Sequence, residues 1–199
     1  MVRTGLRLAE QTALTAFEVP LDRGLGGYQR FWLPSAIAKG GSAPRVYVPE
    51  SLVGEAIAYA EIHRAEVIER ARAAGCYRRW RRPLVVENPD RRSRGVPDGG
   101  RVKVAQLDPS ERLRLLIDGP NGLEPAMFWL TEMGTPMTKS AWKKLFRTAN
   151  LRCRSHGVRI WVHPHSLRHT FAVVTLEQLQ RGHIASQADR NPDQRRTTA

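Results

Sequence analysis

Three histidines and an arginine fall within seven residues, His163-Pro164-His165-Ser166-Leu167-Arg168-His169, directly ahead of an apolar run. Imidazole and guanidinium groups at this density suit two chemistries, gripping an anion or holding a metal. Pro164 is a poor helix-interior residue but a good helix entrance. Beyond it Leu167, Phe171 and Val174 share one helical face, with Ala172, Leu176 and Leu179 beside them. A helix opening at Pro164 sets His165 and Arg168 three residues apart on one side of its first turn. Its unpaired N–H groups and partial positive charge then add to theirs, which makes an anion site with phosphate the natural occupant. The competing reading is a zinc site on His163, His165 and His169. His165 and His169 are four apart, but no glutamate stands between them in the metalloprotease position and no cysteine is near.

Composition narrows the partner. The 199 residues carry 32 Lys and Arg against 19 Asp and Glu, a formal net charge of +13. Such an excess favours nucleic acid, with an anionic membrane surface second. Two lone cysteines, Cys76 and Cys153, do not make a disulfide framework, so a reducing compartment is expected. No apolar run reaches the length of a membrane span, no secretory leader is visible, and there is no internal repeat.

Several elements must position the histidine-arginine cluster. Near the start, Leu6, Ala9 and Ala13 predict an apolar helical face, with Leu14 beside it and Arg7 at the helix start. Phe17–Val19, Arg30–Leu33 and Arg45–Val48 read as strands, separated by turns at Gly24, Gly26 and Gly27 and at Gly40, Gly41 and Pro44. Lys39 sits on the second turn. Ser51–Ala74 predicts a long helix, with Leu52, Ala56, Tyr59, Ala60, Ile62, Val67 and Ile68 apolar at helical spacing, and Gly75 ends it. Tyr77-Arg78-Arg79-Trp80-Arg81-Arg82 is an aromatic-basic cluster, with Arg91, Arg92, Arg94 and Arg101 following in a loop. It is read as part of a hairpin insertion in which Leu84–Val86 pairs with Val102–Val104. The cluster is either a solvated charged loop or a phosphate-binding extension in which Arg78 and Arg79 contact DNA. Pro109–Ile117 reads as a short helix.

A second basic helix follows, with Thr138 as its N-cap. Trp142, Leu145, Phe146 and Ala149 predict its core stripe. Lys139, Lys143 and Arg147 line another face, with Lys144 beside them, and suit either solvent or a DNA backbone. Gly182 reads as the end of the last helix, and residues 186–199 as a disordered tail.

Two stretches, taken together, resemble one family. His165-Ser166-Leu167-Arg168-His169-Thr170-Phe171-Ala172 resembles the second arginine box of the tyrosine recombinases, the integrase family of DNA breaking-and-rejoining enzymes. Thr4-Gly5-Leu6-Arg7-Leu8-Ala9-Glu10 resembles the first box, and Lys39, followed by Arg45, resembles the lysine of that family's hairpin. The resemblance covers about Thr4 to Leu179 and implies a mainly α, α+β catalytic domain with a small antiparallel sheet. It implies that Arg7 and Arg168, 161 positions apart, grip one scissile phosphate. His165 would hydrogen-bond that phosphate or manage the nucleophile's proton, and Lys39 would protonate the leaving 5′ oxygen. Glu10 would be structural, orienting an arginine. No metal or cofactor is implied, since arginines do the charge work.

The same resemblance implies a catalytic domain over residues 1–185, with an insertion at 76–116 and without the family's preceding clamp domain. Its partners would be double-stranded DNA and either a second copy or intact recombinase protomers, in a cytoplasmic, nucleoid-associated setting. The four tyrosines, Tyr28, Tyr47, Tyr59 and Tyr77, all precede His165, whereas the family's nucleophile follows it. The expectation is therefore a truncated domain that binds DNA and cannot cut it alone. The alternatives are a non-enzymatic DNA-binding accessory and a decayed gene product.

Overall fold

The computed structural model describes residues 1–22, 27–86, 93–95 and 101–189. Gly24, Gly26, Arg91, Arg92 and residues 190–199 lie outside them. The chain is mixed α and β, about half helical, with three small sheets.

Alternation of exposed and inward residues builds the first hairpin. β1 (Tyr28–Trp32) pairs antiparallel with β2 (Arg45–Pro49), with Phe31 opposite Val46 and Trp32 opposite Arg45. Val46 and Val48 point inward onto Leu6, Leu14, Leu33 and Val53. The turn carries a short 3₁₀ stretch, Lys39–Gly41, in which Gly40 and Gly41 take positive φ of 74° and 69°. A β-carbon would strain both positions.

The long helix is interrupted. α2 (Glu50–Ala58) runs into a π-helical turn, Tyr59–Arg64, and on as α3 (Ala65–Ala73). Gly75, at φ 69°, ends it. The wide turn shifts the buried face, so Arg64 goes inside and the expected core residue Ile62 is 61 % exposed. Arg64 donates to the Pro125 carbonyl at 2.5 Å and pairs with Glu124 at 3.5 Å. The Tyr59 hydroxyl accepts from the Leu130 N–H at 3.0 Å, and its ring packs on Phe128 and Trp129.

The central sheet is mixed, whereas the β1–β2 hairpin is a small antiparallel sheet of the expected kind. β3 (Leu84–Val86) pairs in parallel with β6 (Leu115–Gly119), which pairs antiparallel with β7 (Gly122–Pro125). Leu84–Val86 therefore does not pair with Val102–Val104. That partner role falls to β4 (Ser93–Gly95) against β5 (Arg101–Lys103). The helix expected at Pro109–Ile117 is only one turn, α4 (Pro109–Arg112), capped by Asp108. Leu115, Leu116 and Ile117 are all buried, a three-residue run that a strand covered on both faces accommodates. The fully buried Arg112 ties this turn to the N-terminal segment, donating to the carbonyls of Ala13, Val104 and Leu107 and pairing with Glu18 at 2.9 Å. Glu18 also accepts from the Thr15 N–H, which holds Phe17–Val19 in turns where a strand was expected.

Among the described residues, every buried apolar side chain lies between Leu6 and Pro136. The last two helices, α5 (Lys139–Ser155) and α6 (Pro164–Asp189), sit on this core without entering it. The expected core stripe on α5 is only half present. Trp142 and Phe146 are partly buried, Trp142 edge-on to Trp129, whereas Leu145 and Ala149 are exposed. On α6, Leu167 and Phe171 are half-buried, while Val174, Leu176 and Leu179 are exposed. α6 runs through Gly182 and Ser186 to Asp189, so neither the expected helix end nor the expected start of the tail is found. A glycine weakens a helix by about 1 kcal/mol relative to alanine but does not stop it unless the backbone turns left-handed there. Gly182 does not turn.

Candidate anion site

The first helix is a single turn, α1 (Leu8–Gln11), with Arg7 as its N-cap. It does not form the expected apolar face, since Ala9 is exposed and Glu10 is buried instead. Glu10 turns inward because donors meet it there. Its carboxylate accepts the Arg7 N–H at 2.7 Å on Oε2 and the Arg7 guanidinium at 2.8 Å on Oε1. The first bond is the reach-back half of a capping box. The Lys39 N–H, from the hairpin turn, lies 3.5 Å from Oε1. Arg168 Nη1, from the second turn of α6, lies 3.8 Å from Oε2 and also donates to the Gly5 carbonyl.

One buried carboxylate thus gathers three remote segments: the N-terminal turn, the hairpin turn and α6. The Glu10 side chain is 4 % exposed, those of Arg7 and Arg168 are 43 % and 36 % exposed. The negative group lies behind and the two guanidiniums lie in front. The solvent-facing charges of this cluster are therefore the two guanidiniums and not the carboxylate. Burial alone would raise the Glu10 pKa. The bonds from Arg7 and from the Lys39 N–H, together with the Arg7 charge, outweigh it and hold the carboxyl below its ordinary value.

Two contacts that the sequence did not announce hold α6 in this place. Gly5, at φ 65°, sits so close under the Phe171 ring that a β-carbon there would overlap it. Asn150 is the one buried residue of α5. Its carboxamide donates to the Val162 carbonyl at 2.7 Å and accepts the Val162 N–H at 2.9 Å. This double bond to one backbone unit fixes the extended segment leading into Pro164. The signal for Asn150 was faint, a lone uncharged polar residue in the second half of a helix with no visible cap role.

His163 caps α6. Its Nδ1 accepts the Ser166 N–H at 3.2 Å while Ser166 Oγ accepts the His163 N–H at 3.1 Å. Nδ1 is therefore the unprotonated nitrogen in this arrangement. His165, three residues before Arg168 in α6, is exposed, its ring parallel to that of His163 at 6.3 Å. The Lys39 side chain is exposed as well. So Arg7, Arg168 and the Lys39 backbone converge on Glu10, with His165 one turn of α6 away from that contact. The zinc alternative finds no support: among the described residues no three His, Cys, Asp or Glu side chains gather as a metal site.

Lys139, Lys143, Lys144 and Arg147 are all exposed along α5. Asn150 follows Arg147 by three residues and Lys143 by seven, so the basic side of α5 runs towards the clamped Val162 and the start of α6. Arg78 and Arg79 are exposed too, but Arg79 is occupied in capping α3, donating to the carbonyls of Ala74 and Gly75. Tyr77 is buried, its hydroxyl donates to the Gly134 carbonyl at 3.0 Å, and burial pushes its pKa up to about 12.

No family model, curated protein or solved structure matches the chain. Among the described residues no helix is long and apolar enough to cross a membrane.

Proposed function

We propose that the chain binds double-stranded DNA and seats one backbone phosphate on Arg7 and Arg168, in the manner of a tyrosine-recombinase catalytic pocket. The observation that carries this reading is the shared carboxylate. Glu10 draws two guanidiniums, 161 positions apart in sequence, to one place and leaves both partly open to solvent. The exposed cations of α5 supply the wider backbone contact. Two guanidiniums against one buried carboxylate keep the pocket positive, which is the condition for stabilising charge on non-bridging phosphate oxygens. Lys39, whose backbone N–H approaches Glu10, and His165, exposed three residues before Arg168, are the ammonium and imidazole that would exchange protons with a bound substrate.

Cutting needs a nucleophile as well. Tyr59 and Tyr77 are engaged in the core, and Tyr28 and Tyr47 stand on the hairpin. The proposed activity is therefore a phosphate grip that does not cleave by itself.

Duplex binding at several salt concentrations tests it. Arg7→Ala and Arg168→Ala should each weaken binding and lower the salt slope by about 1. The purified chain should form no covalent adduct on a nicked duplex. Undiminished duplex binding by the Arg7→Ala, Arg168→Ala double variant would overturn the proposal, and so would an adduct from the chain alone.

A further inference from the structure

The outward face of the first hairpin belongs to no part of the pocket. It carries Tyr28, Arg30 and Trp32 on β1 and Arg45 and Tyr47 on β2. Tyr28, Trp32 and Tyr47 are 66 %, 59 % and 53 % exposed. The register places Arg30 opposite Tyr47 and Trp32 opposite Arg45, so ring and guanidinium alternate across the ladder. The Arg45 guanidinium stacks on Trp32, 4.6 Å from the ring centroid. The opposite face of the same strands, Phe31, Val46 and Val48, is packed into the core. Three exposed rings on a rigid support, Trp32 with Arg45 on one face, together with two cations and no acidic side chain among them, are an unusual outer surface.

We propose that this face binds single-stranded nucleic acid, with bases stacked on Tyr28, Trp32 and Tyr47 and the backbone held by Arg30 and Arg45. Each ring offers a flat apolar surface to any base, and each guanidinium matches a phosphate. Tyr28 and Trp32, four apart on β1, stand about 13 Å from each other, and Tyr47, opposite Arg30, lies diagonally between them at about 7–8 Å. Bases stacked in a duplex strand rise only about 3.4 Å, and their faces are covered. The ring spacing therefore calls for an extended strand whose bases are free.

A second copy of this chain fits less well. The ribbon is about 17 Å long and two strands wide, a few hundred Å² at most, well short of the roughly 800 Å² per partner of a stable interface. In a twofold pair the arginines of both copies would also be brought together.

This surface is independent of the Arg7–Arg168 grip, and the experiment keeps the two apart. Fluorescence anisotropy of a labelled oligothymidylate of about a dozen nucleotides is compared with a duplex of equal length. Wild type should favour the single strand. Tyr28→Ala with Tyr47→Ala should weaken single-strand binding by at least about thirtyfold, the loss expected for two stacked bases. Duplex binding should move far less. Trp32→Phe should retain single-strand binding and Trp32→Ala should lose it.

Arg168→Ala should leave single-strand binding in place. If wild type binds the single strand but not the duplex, the phosphate-grip reading fails and this one stands. Three results would overturn the ribbon proposal: wild type ignoring the single strand, the tyrosine pair changing nothing, or the tyrosine variant abolishing a self-association seen in wild type.

Discussion

Replacing Glu10 by glutamine changes the charge of the hub and little else in its shape. The carboxylate offers two acceptor oxygens and receives the Arg7 N–H at 2.7 Å and the Arg7 guanidinium at 2.8 Å, one on each. A glutamine has one acceptor oxygen and an amide that donates. In Glu10→Gln one of the two short bonds becomes donor against donor, and the other loses its charge assistance. A hydrogen bond to a charged group contributes about 1.5–3 kcal/mol. The Coulombic part with Arg7 and Arg168 counts for little, because both guanidiniums are more than a third exposed. The variant should therefore lose about 2 kcal/mol of stability at pH 7.

The difference should also depend on pH. The Glu10 pKa in the folded chain lies below its ordinary value, which is near 4.3 in an unfolded chain. Folding therefore favours the ionised form. The stabilisation is fully present above about 4.3 and disappears as pH falls through the lower folded-state value. Urea titrations of wild type and variant, followed by circular dichroism from pH 7 downward, measure this directly. The gap should be constant near neutrality and close in acid. A variant as stable as wild type at pH 7, or a gap that persists unchanged into acid, would refute the account of Glu10 as the hub.

Two further outcomes follow from the contacts that seat α6. Asn150→Leu leaves the Val162 N–H and carbonyl without their partner and should cost about 1–3 kcal/mol. Amide exchange at Val162 should accelerate, and duplex affinity should fall although no cation is removed. Gly5→Ala places a methyl group against Phe171 in a left-handed backbone and should cost a similar 1–3 kcal/mol. It should open α6 to limited proteolysis, whereas Gly54→Ala, in α2 with open space around it, should leave proteolysis unchanged.

What could be read in the sequence was what local rules govern. Alternation fixed β2, Thr138 fixed the start of α5, and Pro164 fixed the start of α6. Local rules failed where a distant partner decided. Leu115–Ile117 looks helical next to the capped turn at Asp108, but pairing with Leu84–Val86, some thirty residues away, makes it a strand. The π-turn at Tyr59–Arg64 has no local signature, because the Pro125 and Glu124 acceptors for Arg64 come from another sheet. At the site, the residue types that handle anions were visible. The glycine carbonyl, the ring above it and the carboxamide that holds Val162 were not. These act through backbone groups, and a backbone carbonyl has the same name at every position.

The grip joins the first turn of the chain to a helix that begins at residue 164. A ribosome releases the first of these parts about 150 residues before the second. A growing polypeptide can bury its apolar centre once residue 136 is out, yet it still lacks half of its cationic pair. Arg168 comes to Glu10 only when this helix has docked against Gly5, so until then the buried carboxylate has Arg7 as its one guanidinium partner.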